Sequence, residues 1–192
     1  MKRTIMLMGD NESRLSMLVD SLFNSGFDVL ARFSTGENLL LRVEQTNPDI
    51  IVMELDKVEK RVLQQLLALN NLNPKPVVIF AEECDVPVID SVVKAGVSAF
   101  VVDGLSMRRV KPIVELALAR FEERLKMIQE LEKTKSTLTE RKIIDKAKGI
   151  IMKQRKVDED VAYKSLREMA MNQNMRIPEV ARNVVSVFEL LA

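Results

Sequence analysis

The stretch Asp49-Ile50-Ile51-Val52-Met53 decides how the first half of the chain is read. Four consecutive apolar residues, three of them β-branched and none alternating with polar ones, mark a strand buried on both faces. Pro76–Phe80 (PVVIF), Thr4–Met8 (TIMLM) and Ala99–Val102 (AFVV) repeat the signal, and Asp28–Phe33 carries a weaker form of it. Between these runs lie amphipathic stretches over 13–24, 36–45, 58–69 and 86–95, bounded by Gly26, Pro48 and Gly96. Strand and helix in alternation predict a doubly wound α/β domain over residues 1–110, built on a five-stranded parallel sheet. The binding crevice of such a sheet lies at the C-terminal strand ends, here near Asp10, Glu54, Ala81 and Asp103.

The character changes after Asp103. From Val110 to Met152 there is no strand signal, and the next glycine is Gly149. Pro112 suits the first turn of a helix there. Leu118, Phe121, Leu125 and Ile128 follow 3-4-3 spacing, and Leu131 and Leu138 continue with an offset resembling a stutter. A helix this long with one apolar stripe predicts a coiled-coil dimer seam, centred on a linker over 111–137. Two more helices follow. Asp158 is the N-cap of one, and Pro178 opens the other, which gathers Ile177, Val180, Ala181, Val184, Phe188 and Leu191 on one face. Residues 138–192 then form a small three-helix bundle.

Composition removes most chemistry. The 192 residues include no His, no Trp and one Cys, Cys84. Without imidazole there is no Ser-His or Cys-His nucleophile and no His metal ligand. One thiol excludes an intrachain disulfide and a Cys-rich zinc site. No nucleophile, base and orienter come together in the sequence, so the expectation is a non-enzyme without cofactor or metal. No run resembles a signal peptide or reaches the roughly 18 apolar residues of a membrane span, so a cytoplasmic protein is expected.

The net charge of +1 conceals an asymmetry. Residues 1–125 hold 15 Lys and Arg against 18 Asp and Glu, whereas residues 126–192 hold 14 against 10. Between 133 and 156 nine basic residues face only Glu140 and Asp145. On a helix turning about 100° per residue, Lys142, Lys146, Gly149, Lys153 and Lys156 fall within an arc of about 80°. Ile143, Ala147, Ile150 and Ile151 centre on the other side. This helix has one face for its own bundle and one for a polyanion. Gly149, in the basic face, costs a helix roughly 1 kcal/mol relative to Ala. Either an anionic backbone approaches there or two helices cross closely.

The stretch from Leu138 to Lys156, LTERKIIDKAKGIIMKQRK, and its continuation to Ala181 resemble the ANTAR family of antitermination domains. Leu138, Arg141, Lys142, Ile144, Ala147, Lys148, Gly149, Met152, Ala162, Tyr163, Leu166, Arg167, Ala170, Met171, Val180 and Ala181 carry the resemblance. It departs from the usual pattern at Val161 and Ile151, neither on the basic face. The resemblance implies a bundle that binds paired hairpin loops in leader RNA and so prevents a terminator hairpin. Arg141, Lys142, Lys146, Lys148, Lys153, Arg155 and Lys156 then meet RNA at Gly149. Loop bases stack on Tyr163 or Arg167.

In this architecture the first domain resembles a two-component receiver with its phosphorylation chemistry removed. Gly9 and Asp10 stand where a receiver has an acidic pair for Mg²⁺. Glu54 replaces the phosphoacceptor Asp, Ala81 the hydroxyl residue and Asp103 the lysine. The resemblance thus implies a pseudo-receiver. The segment Ser98–Phe121 resembles the nitrate- and nitrite-responsive NasT branch, which implies control by a separate ligand-sensing protein. The expectation is a homodimeric, RNA-binding transcription antiterminator with no membrane association. Rival readings are a DNA-binding response regulator and a protein-interaction adaptor. The final helix offers only Arg182 and Asn183 as base readers, which disfavours the DNA reading.

Overall fold

A computed structural model describes residues 2–102 and 106–191, with the side chains of 190 and 191 left aside. Asp103 and the side chain of Leu191 therefore lie outside the described residues. The chain divides into two units, Met1–Leu125 and Lys126–Ala192.

The first unit holds strands β1 (Thr4–Gly9), β2 (Asp28–Phe33), β3 (Ile50–Lys57), β4 (Val77–Glu83) and β5 (Ala99–Val102). All pair in parallel, in the order β2-β1-β3-β4-β5. Helices α1 (Glu12–Asn24), α2 (Leu39–Thr46), α3 (Lys60–Leu72) and α4 (Val86–Lys94) connect them, and α5 begins at Met107. Side chains of a strand alternate between faces, which produces two cores. Ile5, Leu7, Ile50, Val52, Val78 and Phe80 pack with Leu15, Leu18 and Leu22 of α1 and with Val110, Val114, Ala117 and Leu118 of α5. Met6, Met8, Ile51, Met53, Ile79 and Ala81 pack with Leu39, Val43, Val62, Leu66, Leu69 and Val92. This is the expected doubly wound fold.

Two strands run further than their apolar runs suggest. β3 continues through Glu54 to Lys57 and β4 through Glu82 to Glu83, because neighbouring backbones complete the ladder even where the side chains turn polar. Helix α2 starts only at Leu39, where the Asn38 side chain accepts the Leu41 N–H. Pro112 stands in the second turn of α5 rather than the first, since the helix already begins at Met107.

Helix α5 runs unbroken from Met107 to Arg155 and contributes to both units. In the second unit its end packs with α6 (Glu159–Gln173) and α7 (Ile177–Leu191). Ala147, Ile150, Ile151, Ala162, Leu166, Ala170, Val180, Ala181 and Val185 form that core. Asp158 caps α6 by accepting the Val161 N–H at 2.8 Å. Asn174 ends it in the left-handed conformation that a short polar side chain tolerates. Among the described residues no helix is long and apolar enough to cross a membrane.

Candidate nucleic-acid interface and the receiver-like cleft

In the second unit an open cleft of about 710 Å³ lies along α5 and α6, with Arg141, Ile144, Lys148, Gly149, Met152 and Tyr163 in its lining. A methyl group built on Gly149 meets no atom within 4 Å. The glycine therefore does not serve a close helix crossing, and that alternative falls away. It opens the cleft instead. Tyr163 presents its ring there at 44% exposure, although it belongs to a helix whose Ala162 and Leu166 are fully buried. An aromatic face, a bare backbone segment and flanking cations suit a planar polar group such as an unpaired base.

The basic residues split by position. Lys148 is only 15% exposed and bridges Asp145 and Glu159, each at 2.6 Å. Hydrogen bonds to Asp145 first, then Glu159, hold its pKa above the ordinary lysine value. Lys146 is paired with Glu189 of α7. Arg155 reaches Ser165 Oγ at 3.5 Å. Arg141, Lys142, Lys153 and Lys156 are exposed and make no ion pair among the described residues. Lys156 lies at the turn into α6, with φ of 55°. Arg167 is exposed but lines a separate hollow with Met171, Asn174 and Arg176, apart from Tyr163. Exposed cations without an ion pair and a mixed-charge cleft thus occur on the same helix but are distinct.

The residues read as a dimer seam also divide. Leu118 and Phe121 are 5% and 8% exposed and are buried within the first unit, Leu118 in the core that α5 forms with the sheet. They are corrected from intermolecular to intrachain contacts. Leu125 is half-buried, whereas Ile128, Leu131 and Leu138 are exposed.

In the first unit a cleft of about 290 Å³ opens at the strand ends beside Asp10, Arg14, Thr35, Glu54 and Asp56. Asp10 accepts hydrogen bonds from Ser34 Oγ at 2.6 Å and from the N–H and hydroxyl of Thr35. These bonds, Ser34 first, hold its pKa below the ordinary range. Glu54 is 3% exposed, the one buried charged residue among those described. Ala81 is buried in the opposite core, with Met53 and Val62, and does not line this cleft.

Sequence reasoning missed Arg14. Asn11 caps α1 by accepting the Arg14 N–H, which places Arg14 in the first helical turn. Its guanidinium reaches across the strand ends to Glu54, Asp56 and Glu82, with Nε 2.6 Å from Glu54 Oε1. Strand parity was the available signal. Glu54 and Asp56 share a face with Ile50 and Val52, Glu82 shares one with Val78 and Phe80, and both faces look toward α1. Burial raises the Glu54 pKa, and Arg14 only partly opposes it. The fit to a divalent cation is poor. A Cβ on Gly9 would approach the Glu54 carbonyl oxygen to 2.7 Å, so the missing acid has no room. Among the described residues no group of three or more His, Cys, Asp or Glu side chains is arranged to hold a metal.

Comparison with known proteins agrees with both units. Residues 132–185 match the ANTAR domain. The second unit thus carries an ANTAR domain. The chain is 22% identical over 180 residues to the transcriptional regulatory protein PdtaR of Mycobacterium tuberculosis, covering 93% of this chain and 88% of that one. It is 34% identical over 85 residues to the nitrate regulatory protein of Klebsiella oxytoca, covering 44% of this chain and 22% of that one. The fold resembles a CheY-like response regulator receiver domain from Methanospirillum hungatei, with TM-score 0.57 and 15% identity over 65% of this chain and 99% of the other. The ANTAR segment thus includes the Gly149 cleft and the free lysines, and the receiver-like fold precedes it.

Proposed function

We propose that this ANTAR-domain regulator is a cytoplasmic transcription antiterminator that binds hairpin loops in leader RNA. The observation that carries the reading is the cleft at Gly149, where Tyr163 is exposed and Arg141 stands in the lining, with the exposed cations Lys142 and Lys153 on the same helix. The free cations hold the phosphates, with salt-dependent affinity. A loop base stacks on Tyr163, and Glu140, Asp145 and Glu159 at the cleft accept hydrogen bonds from its exocyclic amines. Bound in this way, a loop is withheld from the terminator. Leu125, Ile128, Leu131 and Leu138 supply a dimer seam, so that two bundles engage two loops with gain in avidity. Ile128→Asp with Leu131→Asp then converts dimer to monomer in light scattering.

The first unit is a pseudo-receiver on this reading. It responds to a ligand-sensing partner protein rather than to phosphorylation. A competition gel shift is the test. Leader RNA carrying two adjacent hairpins displaces a labelled copy, whereas duplex DNA of equal charge does not. Equal competition by DNA refutes the RNA reading. Acetyl phosphate with Mg²⁺ leaves the mass of the chain unchanged, and a stable phosphoryl adduct refutes the pseudo-receiver.

A further inference from the structure

We infer that Arg14 is the resident cation of the receiver-like unit, a covalently attached substitute for the divalent ion that a receiver holds at its strand ends. The inference rests on the pseudo-receiver reading and explains how such a cleft stays stable without a metal. Glu54, Asp56 and Glu82 come from adjacent ends of β3 and β4, with Asp10 nearby at the end of β1. Three carboxylates drawn together by the sheet repel one another, and Glu54 carries its charge in the interior. Some cation must offset this. Arg14 contacts all three at once. A planar guanidinium with five N–H groups can serve several carboxylates in a way a lysine point charge cannot.

Four features show that the site is organised around this arginine. The Asn11 cap fixes the turn of α1 that carries it. Burial opposes the charge of Arg14, yet Asp56 and Glu82 hold its pKa above the ordinary arginine value. Gly9 allows the Glu54 backbone into the space where the first metal ligand of a receiver would stand. The second oxygen of Glu54, Oε2, is buried without a hydrogen-bond partner, so Glu54 depends on the charge of Arg14 rather than on a bonded network. Arg14 thereby ties α1 to the ends of β3 and β4. In a receiver a diffusible ion and a phosphoryl group make that tie reversible. Here it is permanent, and the strand ends are closed to phosphoryl signalling even where acids remain.

Calorimetric melting of the full chain, with and without 10 mM MgCl₂, tests the assignment. The unaltered chain is expected to show no Mg²⁺-dependent shift. Arg14→Ala is expected to melt about 10 °C lower in its first unit, from the loss of one partner of a buried pair. Mg²⁺, which finds no place while the guanidinium lies between Glu54, Asp56 and Glu82, should recover part of that loss once the room is vacated and the carboxylates lack a cation. Arg14→Lys should fall between the two. If Arg14→Ala does not fold, Arg14→Ala/Glu54→Gln is to be measured, since it removes the charge that needs an offset. Its folding with a near-normal transition supports the assignment, and failure of both variants to fold overturns it. A Mg²⁺ shift in the unaltered chain as large as in Arg14→Ala overturns it, and so does an Arg14→Ala variant with neither loss nor Mg²⁺ response. The pseudo-receiver reading fails separately, by a phosphoryl adduct on the unaltered chain.

Discussion

The two units treat charge in opposite ways. At the strand ends of the first, both described cations that line the cleft are engaged by the protein itself: Arg14 by Glu54, Asp56 and Glu82, and Lys57 by Asp85 at 2.6 Å. On the second, Lys142, Lys153 and Lys156 stand exposed without an ion pair among the described residues, beside a cleft with an unobstructed glycine. Cations satisfied within the fold hold elements together and have little left for a ligand. Exposed cations without partners contribute little to stability, and a polyanion gains from them by releasing its counterions. The charges at the strand ends are thus committed within the fold, while Lys142, Lys153 and Lys156 remain open to solvent.

This contrast can be broken most directly at the lysines. Lys142→Glu with Lys153→Glu should weaken leader RNA binding by about 100-fold or more at low salt, through lost phosphate contacts and added repulsion. Helical content by circular dichroism should stay unchanged, because neither side chain packs in the bundle. RNA affinity within twofold of the unaltered chain would remove the interface from this face. Tyr163→Ala comes next, with affinity lower by about 10-fold from lost stacking and little change in melting temperature. A large loss of stability instead would assign the ring to packing.

Gly149→Ala separates stability from binding. The added methyl meets open space, so the helix should gain about 1 kcal/mol in denaturant unfolding. RNA affinity should fall severalfold as the cleft floor rises. A variant that is more stable and binds equally well would deny the glycine its role.

The smallest effect concerns the first unit and pH. The folded pKa of Glu54 is raised above its ordinary 4.5, mainly by burial. A carboxyl shifted upward costs stability above its folded pKa, and the cost fades as pH falls through that value toward the unfolded one. Glu54→Gln with Arg14 intact should therefore stabilise the unit at pH 7, the advantage shrinking on acidification. Urea midpoints at pH 7 and pH 4.5 measure this. A destabilised Glu54→Gln would mean that the Arg14–Glu54 attraction outweighs burial.

Much of the architecture was legible because periodicity is a local property. The runs at 4–8, 49–53 and 76–80 had no arrangement but buried parallel strands, and the 3.6-residue rhythm of 141–156 separated a core face from a basic face. The ends of elements were less legible. Glu54, Asp56 and Glu82 continue their strands because of ladder partners that no local pattern reveals. The seam was misread in part for the same reason. Leu118 and Phe121 have heptad spacing, but that spacing serves equally well to bury α5 within its own unit, Leu118 against the sheet.

The sequence by itself determined the fold class, the ANTAR resemblance and the existence of a basic helical face. Each depends on residue type and spacing along one element. Only the tertiary structure decided which charges are free and which are spent. Arg14 meets Glu54 and Glu82 across 40 and 68 positions of chain, and Lys146 meets Glu189 across 43. Charge is a property of residues, but its neutralisation is a property of pairs. Pairs distant in sequence come together only when the sheet and the bundle close.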